Sequence, residues 1–171
     1  LLDIEHDDWI AGLAPKQADS LITQAIRAAL ETLKTAGELP QSLAGRAVEV
    51  SAVLTDNDQV QALNRDYRGK DKPTNVLSFP MLEREDLLDL APEGPPEMLG
   101  DIALAAGTCA REAAEKGVSL ETHATHLLIH GLLHLAGHDH VDSDAQAEAM
   151  EALEIAALAK LGIGDPYGDR N

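Results

Sequence analysis

Six of the seven histidines lie between residues 123 and 140. His123, His126, His130 and His134 are three or four residues apart, so on a helix, at about 100° per residue, they share one stripe. The rest of the segment is Leu127, Leu128, Ile129, Leu132, Leu133 and Leu135, apolar almost all round, and such a helix is buried. Enclosed imidazoles need partners, because each unpaired buried polar group costs about 1–3 kcal/mol. A metal ion can partner several at once. His130 and His134 stand one turn apart, roughly 6 Å along the axis, and their rings can converge on an ion about 2.0–2.1 Å from each nitrogen. Gly137 then breaks the helix, since glycine enters the left-handed conformation without strain, and the chain can turn back to bring in His140. Three protein ligands leave a position open for water, as catalytic sites do and structural sites do not. Three neutral imidazoles also leave the ion its full charge, which lowers the pKa of water at such a site. His123 and His126 read as supporting or packing groups, and His138 as an exposed residue past the turn. Asp139 either orients a ligand imidazole by accepting its other N–H or caps the turn.

The elements that must position these groups are legible from periodicity and end signals. Residues 2–6 suggest a short strand. Asp19 or Ser20 can cap a helix through LITQAIRAALETLKTA, ended by Gly37 and Pro40. AVEVSAVL (47–54) alternates and is β-branched, so it predicts a strand. Thr55 or Asp56 caps the next helix, with Val60, Leu63 and Tyr67 on its inner face and Gly69 at its end. TNVLSFP predicts a strand closing at Pro80. Residues 83–97, rich in acids and prolines, read as a surface loop. MLGDIALA (98–105) predicts another strand, Thr108–Lys116 a helix, and Ser119 caps the histidine helix to about Ala136. Ser143 with Gln146 forms a capping box for a last helix carrying Ala147, Met150, Glu154, Ala157 and Leu161 as a stripe. The order β-α-β-α-β-β-α-α-α implies one α+β domain over 1–171. We expect a mixed sheet of about four strands, five or so helices, and the metal site at the end of a buried helix.

Charge bears on partners. The 171 residues carry a net charge of −17, which by itself argues against nucleic acid. Its distribution softens the objection: four of the 13 Lys and Arg fall between Arg65 and Lys72. A basic patch on an acidic body avoids loose RNA binding and calls for a partner or a shaped substrate. No apolar run reaches membrane-spanning length. The lone Cys109 reads as a small buried residue, and a cytoplasmic setting is expected.

His130, His134, Gly137 and His140 have the spacing of the metzincin proteases, H-E-x-x-H-x-x-G-x-x-H. Residue 131 differs: the metzincin general-base glutamate is replaced by Gly131. Losing that proton acceptor costs about 10²–10⁴-fold in rate, so the site suits metal and water but not peptide hydrolysis. The run HGLLHLAGHDH instead resembles the signature of the YbeY family, H-G-x-L-H-L-x-G-[YH]-D-H. YRGKDKPTNVLSFP (67–80), LGDIALA (99–105) and DPYG near the end are also similar to segments of that family, in the same order. Together they cover most of residues 50–168, while the first 45 residues and the acidic loop match loosely. His138 departs from the tyrosine that the family often has there, at a position that is not a ligand.

The resemblance implies a single-domain bacterial endoribonuclease, cytoplasmic and specific for single strands. It implies zinc, one ion per chain, with other divalent metals able to substitute, and a role in ribosomal RNA maturation at the 16S 3′ end and in ribosome quality control. Expected partners are ribosomal RNA and the ribosome or its associated proteins, with no membrane and no DNA. The family's metal ligands fall on His130, His134 and His140, and its functional arginine on Arg68. Arg68 suits that role on chemical grounds, because a guanidinium grips a phosphate bidentately and offsets developing charge. Lys70 and Lys72 follow as substrate contacts. Ser78 either lines the cleft with Thr74 and Asn75 or serves turn and edge bonding. Asp101, unusual in a strand, either pairs with a basic residue or supports the site. The competing readings are a metzincin-like peptidase and a non-catalytic ribosome-assembly factor with a structural metal.

Overall fold

The structure, a computed structural model, describes residues 2–4, 15–37, 48–82, 86, 97–137 and 144–167. Its elements follow the expected order. They are β1 (Leu2–Ile4), α1 (Pro15–Thr35), β2 (Val48–Thr55), α2 (Asn57–Arg68), β3 (Val76–Pro80), β4 (Glu97–Ala105), α3 (Ala106–Lys116), α4 (Leu120–Leu135) and α5 (Asp144–Lys160). The strands form one mixed sheet in the order β1-β2-β4-β3. β1 and β2 are parallel, as are β2 and β4, whereas β3 runs antiparallel along the edge of β4.

Alternation along β4 divides the molecule into two layers. Ile102 and Leu104 point into the main core, which α1, α4 and α5 complete with residues such as Leu33, Leu128, Leu132 and Leu158. Ala103 and Ala105 point the other way, where Leu77 and Val60 join them beneath α2. Small residues on that second face let α2 lie close, and bulky ones on the first fill the space under three helices.

Two helix starts differ in accuracy. Asp56 caps α2 as expected, its carboxylate accepting from the Gln59 N–H at 2.7 Å. α1 begins at Pro15 rather than after Asp19 or Ser20. Proline at a first helical position gives up only an N–H that has no partner there, and the Ser20 hydroxyl instead accepts from Gln24 one turn on. Tyr67 is a correction: it is 72 % exposed and meets Phe79 by one ring edge. The buried polar residue of α2 is Asn64, whose amide donates to the Lys72 carbonyl at 3.0 Å and pins the basic loop against the helix. The acidic loop, apart from Asp86 and Glu97, and Ser143 of the capping box lie outside the described residues.

Candidate metal centre

Helix α4 presents the histidines in graded burial. Ser119 caps it, accepting from the Thr122 N–H at 3.1 Å, and 11 of its 16 residues are buried. The His123 and His126 side chains are 2 % and 8 % exposed, while that of His130 is 22 % exposed. The stripe therefore opens toward solvent at its C-terminal end, where His130 and His134 stand. Gly137, with φ of 96°, takes the left-handed conformation that the chain needs to leave the helix.

At that end the Nε2 atoms of His130 and His134 are 3.1 Å apart, with ring centroids at 4.6 Å. Two nitrogens about 2.0–2.1 Å from one ion at a tetrahedral angle stand about 3.3 Å apart. The gap fits a shared ion as well as an N–H···N bond. Among the described residues no three His, Cys, Asp or Glu side chains form a complete metal site. The expected third ligand, His140, and its neighbours His138 and Asp139 lie outside the described residues.

Behind the pair is Glu154 of α5, 1 % exposed. Its Oε1 accepts from His130 Nδ1, and its Oε2 faces the Tyr167 hydroxyl and His126 Nε2. Burial pushes this carboxyl up, but hydrogen bonds from His126, His130 and Tyr167 outweigh it and hold the pKa down at about 2. Among the described residues, the buried His126 Nδ1 meets no hydrogen-bond partner. The contacts of His126 run through Nε2, to Glu154 and to the Tyr167 hydroxyl. Glu154 stood in the sequence only as one member of a helical stripe. The signal was a carboxylate among Ala147, Met150 and Ala157, on a face that otherwise demands apolar side chains.

A second carboxylate supports the buried end of the stripe. Glu112 of α3 accepts from His123 Nε2 at 2.8 Å and from the Asn75 amide at 2.9 Å. Burial raises this carboxyl, and the bonds from His123 and Asn75 reverse the shift and hold it below its usual range. Burial likewise lowers the His123 imidazole, more than Glu112 raises it. His123 is therefore a neutral donor, and Asn75 serves turn and edge bonding: its carbonyl also accepts from the Ala105 N–H.

The remaining candidates sit around β3. Ser78 faces α4 at Gly131, the residue that follows His130 in the chain. Arg68 ends α2 and is exposed, as are Lys70 and Lys72. α2 packs on β3, β4 and α3, so Arg68 ends a helix that covers the sheet face away from the main core, and Lys70 and Lys72 follow in the loop after it. Asp101 lines a groove of about 350 Å³ on that same face with Leu63, Tyr67 and Phe79. Cys109 is fully buried, and burial pushes its thiol up to about 12.

The family model described as Endoribonuclease YbeY matches residues 3–162. The chain belongs to the YbeY family. One YbeY relative, named Endoribonuclease YbeY, from Erythrobacter litoralis, is 71 % identical over 137 residues, covering 80 % of this chain and 85 % of its own. Another of the same name, from Novosphingobium aromaticivorans, is 62 % identical over 144 residues, covering 84 % of each. Among solved structures, the solution structure of TM1509 from Thermotoga maritima matches with a TM-score of 0.54 at 23 % identity, over 95 % of this chain and 92 % of its own. That likeness speaks to the fold. No helix among the described residues is long and apolar enough to cross a membrane.

Proposed function

We propose that this YbeY member is a zinc-dependent endoribonuclease that cuts single-stranded RNA, acting in the cytoplasm on ribosomal RNA at the 16S 3′ end and in ribosome quality control. The whole chain would form one such domain. The observation that carries the reading is the His130–His134 pair: two Nε2 atoms 3.1 Å apart at the solvent end of a buried helix, one ring backed by a buried carboxylate. Imidazole donors of this kind suit zinc and related divalent metals.

His130 and His134 would hold the ion, with His140 as third ligand. When bound, the ion supplies Lewis acidity toward a phosphoryl oxygen or an attacking water. The chain's own residues do the rest. Arg68 would grip the phosphate through its planar fork and offset charge that grows on it. Lys70 and Lys72 would draw the backbone toward the edge of β3, against the −17 charge of the whole chain. Ser78, on the α4 side of that strand, would meet the substrate next to the histidine pair. The ribosome or its proteins would supply the shape selection that an acidic chain cannot get from charge.

Pure protein incubated with structured RNA and with casein, each with and without chelator, tests the reading. We expect chelator-sensitive cutting of RNA within single-stranded segments and none of casein. RNA binding without cutting would favour an assembly factor, and casein hydrolysis a peptidase. End-group analysis of the RNA products distinguishes attack by water from attack by the ribose 2′-hydroxyl.

A further inference from the structure

The inward face of α5 is apolar at Met150, Ala157 and Leu158, and Glu154 interrupts it. An ionised carboxylate only accepts, so at the contact with Glu154 Oε1 the proton sits on His130 Nδ1. In the neutral ring Nε2 then carries the lone pair, and Nε2 is the nitrogen turned toward His134. The other oxygen of Glu154 is taken up by the Tyr167 hydroxyl. His126 Nε2 stands 3.4 Å from that oxygen and 3.2 Å from the tyrosine oxygen, completing the ring of donors. Tyr167 reaches in from the turn after α5, where its own N–H donates to Asp165 at 2.7 Å.

We propose that Glu154 is a positioning residue, clamped by Tyr167 and His126, that fixes the His130 imidazole with Nδ1 protonated and Nε2 presented to a metal ion. It joins α5 and the turn carrying Tyr167 to a site that sequence places wholly on α4 and the residues after it. The inference rests on the metal reading of His130 and His134. Supporting carboxylates both set the tautomer and raise the basicity of the ligand nitrogen, and losing one typically costs about 10–100-fold in metal affinity.

Two readouts on the full chain test it: ring tautomers from ¹⁵N spectra of zinc-free protein, and the zinc dissociation constant by competition with a chromophoric chelator. Wild type should show His130 as the Nδ1–H tautomer. Glu154→Leu should lose that preference and bind zinc about 100-fold more weakly. Glu154→Gln still accepts through its amide oxygen, so it should keep the tautomer yet lose about tenfold in affinity with the charge. Tyr167→Phe should keep the fold and lose several-fold. Should Glu154→Leu fail to fold, Glu154→Gln and Tyr167→Phe decide. Wild-type affinity in Glu154→Gln, or a folded Glu154→Leu that retains the Nδ1–H tautomer, overturns the proposal alone. A wild type that takes up no zinc overturns the metal reading and this proposal together.

Discussion

Gly131 of α4 and Ser78 of β3 touch so closely that a Cβ on the glycine would lie 3.1 Å from the serine Oγ, and as close to Ile102 Cγ2. This is the position where the metzincin pattern carries its glutamate. The sheet occupies the space that such a side chain would need. Gly131→Ala should cost about 1–3 kcal/mol through crowding and regain about 1 kcal/mol in helix propensity, a net loss of about 0–2 kcal/mol in urea unfolding. Gly131→Glu should lower the melting temperature and gain no casein hydrolysis. A stable, proteolytic Gly131→Glu would show that β3 yields and that the glycine is no barrier.

His134→Ala removes one of two imidazoles that face each other across 3.1 Å. The expected outcome is loss of zinc and of RNA cleavage together, with some loss of stability, since metal binding energy is folding energy. Metal content after gentle purification and zinc titration is the measurement. Full zinc retention would contradict the ligand assignment.

Arg68→Ala should spare both metal and fold. The residue is exposed at the end of α2, where its charge favours the helix dipole by only about 0.3–1 kcal/mol. Cleavage should fall roughly ten- to a hundredfold, the worth of a charge-assisted contact of about 1.5–3 kcal/mol. The loss should appear in kcat if the contact tightens in the transition state. Arg68→Lys keeps the charge without the fork and should rescue poorly. Wild-type single-turnover rates in Arg68→Ala would mark the basic loop as solvated surface.

Acid should destabilise the zinc-free protein in two stages. His123 is held neutral by burial between Glu112, Lys116 and His126, so its folded pKa lies below the unfolded value of about 6.5. The unfolded chain takes up that proton first, and stability drains as pH falls from about 6.5. Glu112 has a lowered folded pKa, so its contribution is present above the unfolded carboxyl value and disappears as pH falls through the folded one. Urea midpoints from about pH 7.5 down to about pH 3, below the unfolded carboxyl value of about 4.3, should show both declines. His123→Gln should flatten the upper one, and an unchanged slope there would remove His123 as its source.

Short-range features of the fold were legible in the sequence, and long-range contacts were not. β2, β3, β4 and the histidine helix were readable because alternation, the stripe at i, i+3 and i+4, and the caps at Asp56 and Ser119 are local signals. The His130–His134 pairing was readable for the same reason. Glu154 was not, because its partner is 24 residues away and only the packing of α5 on α4 brings them together. Glu112 is likewise tied to Asn75 across 37 residues. Tyr67 failed in the opposite sense: its spacing suits an inner face, but by the last turn of α2 it meets Phe79 only by a ring edge.

Cys109 has a practical consequence. The lone thiol is fully buried and its pKa is pushed up to about 12, so at neutral pH it is neither accessible nor a thiolate. The native protein should stay dark to maleimides without any cysteine being removed. Met81, 57 % exposed just after β3, then offers a place where a single introduced cysteine becomes the sole reactive handle. A dye or spin label at Met81→Cys would sit at the end of the strand that carries Ser78. It would let the approach of an RNA chain be followed by fluorescence or by distance to a paramagnetic ion, in an otherwise unaltered molecule.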